Sequence, residues 1–181
     1  MSVKMEIMLR TKRLLLRHAR LEDATEMHEI LSNEAAMLYW STPPHSEFAQ
    51  TQDWIANMVA ATAEGSEDFI IEIDGRVAGK VGAYRLPEFG YILHPDFWGW
   101  GMATEATTAF LHHIYQNRPD ITALHTDIDP RNTASIRLIK KLGFHETGRA
   151  ERTFETHIGW CDSVYFAIDR ADMAGFAANQ D

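Results

Sequence analysis

The sequence carries a single cysteine, Cys161, so no disulfide can form within the chain, and a small domain stapled by disulfides is excluded. It has no apolar run of membrane-spanning length, which excludes a helical transmembrane protein. The opening Met1-Ser2-Val3-Lys4-Met5-Glu6 lacks the apolar stretch of a secretion signal. Together these absences predict a cytoplasmic protein without a membrane partner. Positive charge is also scarce: 17 Lys and Arg stand against 26 Asp and Glu, a formal net charge of -9. No long basic run is present to follow a nucleic-acid backbone, so nucleic acid is not expected as a partner. Arg131, Arg137, Lys140 and Lys141 do cluster, enough to meet a phosphate but not to coat a duplex. The acidic balance favours cationic acceptors, or simply confers solubility.

Repeats, low-complexity tracts and linkers are lacking too, and 181 residues suffice for one hydrophobic core. The expectation is a single domain over 1–181 with its core at about 11–169. Arg13-Leu14-Leu15-Leu16-Arg17 reads as a first strand, and Ala24, Met27, Ile30 and Leu31 fall at helical spacing. A loop holding Tyr39, Trp40 and the Pro43-Pro44 pair follows, then a second helix marked by Phe48, Ile55, Met58, Val59 and Thr62, ending near Gly65. Asp74-Gly75 between two β-rich runs signals an antiparallel hairpin. Phe89 to Leu93 is the next strand. A helix with Met102, Ala106, Ala109, Phe110, His113 and Ile114 on one face stops before Pro119. Ile121 to Ile128 is a strand, and Asp129-Pro130 reads as N-cap and N1 of a helix closed by Lys140-Lys141-Leu142-Gly143. Phe154–Ile158 and Ser163–Ile168 complete the order βααβββαβαββ, an α+β layout around a central mixed, mostly antiparallel sheet flanked by helices.

Between the Phe89–Leu93 strand and the following helix lies Pro95-Asp96-Phe97-Trp98-Gly99-Trp100-Gly101-Met102-Ala103-Thr104-Glu105-Ala106. Two glycines allow close backbone approach, and a helix entrance offers free N–H groups to an anion. Thr104 occupies the third glycine position of a dinucleotide fingerprint, and the preceding strands form hairpins rather than a βαβ unit. No Gly-Lys-Ser/Thr occurs, which excludes a P-loop. The remaining alternative is a plain strand-to-helix turn.

About thirty residues on come Asn132-Thr133-Ala134-Ser135 and then Lys141-Leu142-Gly143-Phe144. The two motifs together resemble the Gcn5-related N-acetyltransferases (GNAT), in the RimJ/RimL-like branch. That branch typically reads Tyr-Trp-Gly-x-Gly-x-Ala-Thr-Glu-Ala. Trp98 departs from the Gln or Arg of the wider superfamily at the motif's first position but matches the branch. The resemblance runs diffusely from Leu14 to Ile168, including Gly159-Trp160-Cys161-Asp162-Ser163.

The resemblance implies the GNAT acyl-CoA N-acyltransferase fold, with acetyl-CoA as the acyl-donor cosubstrate. Its pyrophosphate would meet the loop Trp98, Gly99, Trp100, Gly101, Met102, Ala103 and Thr104, chiefly through backbone N–H groups. Ile92 and Leu93 would offer main-chain groups to the pantetheine arm, and Asn132 its amide. Many relatives protonate the departing thiolate with a tyrosine seven residues after this Asn, where the present chain has Ile139. Ser135, one turn from Asn132, is the substitute donor, or else a small residue packing beside the cofactor.

For the general base the position of Glu88, just before the strand into the glycine loop, matches the family's usual place. Asp127, alternating with His125 and Asp129, is the other carboxylate in reach. Either could equally be a solvated surface acid, and an enzyme of this kind could also bind neutral amine directly. Tyr39 and Trp40 would line the acceptor side, or else serve as core anchors beneath the proline-rich turn. His112-His113 and Asp127-x-Asp129 resemble metal ligands only superficially, so no metal is expected. The reading is an N-acetyltransferase acting on a primary amine, at a protein N-terminus or on a small molecule, by direct attack in a ternary complex. The alternative is a noncatalytic acyl-CoA-binding module on the same fold. Homodimers are frequent in the superfamily, and the sequence leaves the oligomeric state open.

Overall fold

The computed structural model describes residues 8–177, so the N-terminal run Met1–Glu6 and both extreme ends of the expected domain lie outside the described residues. One eight-stranded sheet organises the chain. Its strands are β1 (Met8–Arg10), β2 (Leu15–Arg17), β3 (Glu67–Ile73), β4 (Arg76–Arg85), β5 (Glu88–Leu93), β6 (Ala123–Ile128), β7 (His145–Thr156) and β8 (Gly159–Asp169). They lie in the order β1-β2-β3-β4-β5-β6-β8-β7. Every pairing is antiparallel except β5 with β6. Asp74 and Gly75, at φ 50° and 81°, make the turn joining β3 to β4, as the Asp-Gly pair requires.

Helices cover both faces. On one, α1 (Ala24–Leu31), α2 (Glu34–Met37) and α3 (Phe48–Ala63) bury Met27, Ile30, Met37, Ile55 and Met58 against Ile70, Val77 and Ile92. On the other, α4 (Met102–Asn117), α5 (Thr133–Lys141) and α6 (Arg170–Ala177) bring Phe110, Ile139 and Met173 against Phe69, Phe89, Leu93 and Phe166. Strand alternation separates the sets: odd residues of β5 face α4 and α5, while Ile92 faces α1 and α3.

Three expectations change. The fifth helix begins at Thr133 with Asn132 as N-cap, whose side-chain oxygen accepts from Ser135 N at 3.2 Å. Asp129 is not the cap, because its carboxylate is taken by the backbone N–H and guanidinium of Arg131, both at 2.9 Å. The last hairpin turns at His157 and Ile158, so β7 runs back to His145 instead of occupying Phe154–Ile158. The strand β1 and the helices α2 and α6 were not foreseen.

Buried charges are paired. Arg17 is 5% exposed and Asp23 4%, and the guanidinium donates to both Asp23 oxygens at 2.7 and 2.8 Å and to Glu72 at 2.8 Å. Behind α4, Glu67 meets His113 Nε2 at 2.9 Å and Arg118 at 3.3 Å. Burial pushes the Glu67 pKa up, but the hydrogen bond and charge of His113, with Arg118, outweigh it and hold the group below the usual range. His113 is thus committed to Glu67 rather than to a metal.

Candidate active site

The site follows from a break in the sheet. β5 and β6 run parallel and pair only at Glu88↔His125, with His125 N donating to Pro87 O at 2.9 Å. Beyond that junction no further pairs join them, so a gap opens toward the C-terminal ends of both strands. On the other edge of β5, His94 N donates to Ala78 O at 2.8 Å. Antiparallel alternation then turns the backbone groups of Gly90 and Ile92 toward β4 and those of Tyr91 and Leu93 toward the gap. The carbonyl of Ile92 lies 2.0 Å from where a Cβ on Gly79 would stand, in keeping with that direction.

Ile92 therefore offers no main-chain group to the gap, contrary to expectation; Tyr91 takes its place. Leu93 does face the gap, but its carbonyl already accepts the Trp98 indole N–H at 3.0 Å. Trp98 braces the strand end with its side chain while its backbone leads into the glycine turn.

At the open end of the gap stands the entrance to α4. Gly99 and Gly101 lie at φ 78° and 77°, a left-handed conformation that bulky residues resist. Gly101 is the N-cap and supplies no side-chain acceptor, so the first-turn N–H groups of Met102, Ala103 and Thr104 have no intrahelical partner. Such an arrangement attracts an anion. Trp100 is 70% exposed, and its carbonyl accepts from Arg13 Nη1 at 2.9 Å.

Arg13 was not singled out from sequence. Its guanidinium also binds Glu105 at 2.6 Å, and Thr11 Oγ1 donates to Glu105 at 2.6 Å. Partial burial raises the Glu105 pKa, yet these bonds and the Arg13 charge prevail and hold it low. The chain before β2 is thereby clamped to the first turn of α4. The partners are 92 residues apart, and no local pattern announces them.

On the α4/α5 face of the gap sit Asn132 and Ser135 at the start of α5. Asn132 uses its oxygen as a cap, and among the described residues its amide N–H groups have no partner. Ile139, seven residues after Asn132, is fully buried core. Tyr91 projects to this face, and its hydroxyl is a neighbour of Ser135.

On the opposite face, toward α1–α3, Glu88 and Asp127 flank the strand junction, both exposed. Ser163 Oγ donates to Asp127 Oδ2 at 2.8 Å. Desolvation in the cleft raises the Asp127 pKa against that bond, and the charges of Glu88 and Asp129 add to the rise. Trp40 is half-buried and packs on the α1–α3 cluster, with the Lys80 ammonium 5.9 Å from its ring. Lys80 is itself buried and paired with Asp68 at 2.8 Å. Tyr39 is half-buried in the same turn. Cys161 is buried under Arg131, whose Nη2 lies 3.2 Å from the thiol, on neither side of the gap.

The uncapped entrance of α4 opens onto an unpaired strand edge, an arrangement with room for an extended ligand that carries a phosphate. The acetyltransferase (GNAT) domain family model matches residues 13–145. The chain belongs to the GNAT acetyltransferase family, and its reaction is acetyl-CoA-dependent N-acetyl transfer. It is 28% identical over 177 residues to an uncharacterized N-acetyltransferase, p20, of Bacillus licheniformis, covering 92% of this chain and 98% of that one. It is also 28% identical over 145 residues to a spermidine N(1)-acetyltransferase of Escherichia coli K12, covering 77% and 76%. Among solved structures it shares the fold of RimL, a ribosomal L7/L12 alpha-N-protein acetyltransferase solved with coenzyme A. There the TM-score is 0.79 at 20% identity, over 90% of this chain and 98% of that one.

Proposed function

We propose that this enzyme acetylates a primary amine of a cationic, polyamine-like acceptor by direct attack in a ternary complex. The observation that carries the reading is the pair of carboxylates, Glu88 and Asp127, at the closed end of the gap on the face opposite Ser135. A positively charged acceptor is attracted there, and the net charge of -9 adds to the field. The spermidine-acetylating relative supports the same class. The single buried thiol suits a reducing compartment, and we place the enzyme in the cytoplasm.

The residues present fit acetyl-CoA. The N–H groups from Gly99 to Thr104 would take its pyrophosphate, and Tyr91 and Leu93 would extend the sheet along its pantetheine arm. Asn132 would donate its free amide N–H to an arm carbonyl. When bound, acetyl-CoA supplies an acetyl group activated as a thioester.

Glu88 accepts the ammonium proton, directly or through water, so that a neutral nitrogen can attack. Asp127 holds a second positive charge of the acceptor. Backbone N–H groups of Tyr91 and Leu93 face the gap, where they can donate to the developing oxyanion. Ser135 lies on the donor side, next to the sulfur's expected path.

Thiol release measured with spermidine, a neutral aliphatic amine and an acidic peptide N-terminus tests this. Spermidine should be the preferred acceptor. Glu88→Gln should lower kcat about 10²-fold, while Asp127→Asn should raise KM for spermidine about threefold to tenfold with little change in kcat. Preference for the acidic peptide, or full activity in Glu88→Gln, would sink the proposal.

A further inference from the structure

Among the buried side-chain atoms that lack a hydrogen bond within the described residues, Asp68 Oδ1 is ion-paired with Lys80 and Thr107 Oγ1 and His112 Nδ1 lie on α4, whereas the Tyr91 hydroxyl lies beside Ser135. The Tyr91 hydroxyl is shielded from solvent and has no hydrogen-bond partner among the described residues. Ser135 is near enough to bear on its acidity, but the two hydroxyls do not meet in bonding geometry. Burial pushes the Tyr91 pKa up to about 12, with Ser135 pulling weakly the other way, so the phenol keeps its proton at neutral pH. An unpaired buried hydroxyl destabilises the free protein, and native structures seldom leave one without a reason. Here the hydroxyl sits on the donor face, beside the first turn of α5. The residue's own backbone faces the gap from β5.

We propose that the Tyr91 hydroxyl is the hydrogen-bond donor to the sulfur that leaves during acetyl transfer, with Ser135 beside it as a second hydroxyl. The inference rests on the site reading just given. A ligand whose pyrophosphate meets α4 and whose arm passes Leu93 and Asn132 brings its far end to Tyr91, where the junction at Glu88 and His125 closes the gap. The amine nitrogen forms the new C–N bond and sheds its extra proton to water at the gap, while the C–S bond breaks with its electron pair left on sulfur, which departs as the thiolate of coenzyme A and takes a proton from water once released. Tyr91 O–H then stabilises that charge without giving up its proton, because its acidity is too weak for outright transfer. The position that holds the proton donor in many relatives is Ile139, buried in the core, and cannot contribute.

Tyr91→Phe is the test, because it removes the unpaired atom and nothing else. The ligand-free variant should melt no lower than the wild type, and about 2 °C or more higher. Its kcat should fall about tenfold to a hundredfold, with the shape of the kcat–pH profile and the KM for acetyl-CoA unchanged. Calorimetric titration should show weakened binding of coenzyme A but unaltered binding of desulfo-coenzyme A. An unchanged kcat would overturn the proposal. So would equal weakening of both ligands, which marks a packing role, or a lowered melting temperature or failure to fold, which marks a structural hydrogen bond. Failure of the wild type to bind acetyl-CoA would overturn the underlying site reading as well, and is separable because it does not depend on the variant.

Discussion

Gly101→Val should weaken acetyl-CoA binding by about 10²-fold, or ~2.7 kcal/mol, in a calorimetric titration. Two effects combine. A Cβ in the left-handed conformation costs about 1–2 kcal/mol, and β-branching at φ 77° makes the strain worse. Relief of that strain rotates the turn and moves the N–H groups of Met102, Ala103 and Thr104 off their common focus. The added side chain also stands over them. A clash with the protein is not the cause, since the nearest atom to a Cβ at Gly101 is Arg13 Nη2 at 3.7 Å. The fold should therefore persist, and Gly101→Ala should fall between wild type and Val. Equal affinity in Val and wild type would mean the turn merely connects strand and helix.

The largest stability effect is expected at Arg17. Replacing it with Met removes the partner of Asp23, a carboxylate with 4% side-chain exposure, at a cost of about 3–5 kcal/mol in urea denaturation. The backbone N–H of Arg20 still donates to Asp23 at 2.7 Å, which one bond cannot turn into full compensation. Glu72 also loses the guanidinium, but its side chain is 20% exposed and can find water. The double change Arg17→Met with Asp23→Leu should recover much of the loss, because apolar replacement of a buried pair is often neutral. A single-variant loss below about 1 kcal/mol would place the pair among ordinary surface ion pairs.

Local chemistry made part of this protein legible. Asp74-Gly75 dictates its hairpin because few other residues accept two successive positive φ values. Gly99, Gly101 and the bare first turn of α4 are built from adjacent residues, and Lys140 to Gly143 close α5 as helix-end preferences require. Asn132, which the family resemblance assigns to the pantetheine arm, caps the helix with one end of its amide while leaving the other end free.

What escaped the sequence depends on distance or on parity. Arg13 reaches Glu105 across 92 residues. The exchange of Ile92 for Tyr91 hangs on one hydrogen bond, His94 to Ala78, that fixes which edge of β5 each residue addresses. The early start of β7 was hidden because an edge strand carries charges such as Glu146, Arg149, Glu151 and Glu155 in place of apolar alternation. Asp129 misled for a simple reason. An Asp before a proline is a good cap, but here Arg131 claimed its carboxylate first.

Amide hydrogen exchange with and without acetyl-CoA tests most directly whether the donor lies in the gap between β5 and β6. Protection should rise in two places only: the turn and first helical residues from Gly99 to Thr104, and the β5 amides of Tyr91 and Leu93. The β4-facing amide of Ile92 should be unaffected, being already bonded within the sheet. Protection elsewhere, or at the helix entrance without the strand edge, would contradict the placement of the acetyl-bearing arm along β5.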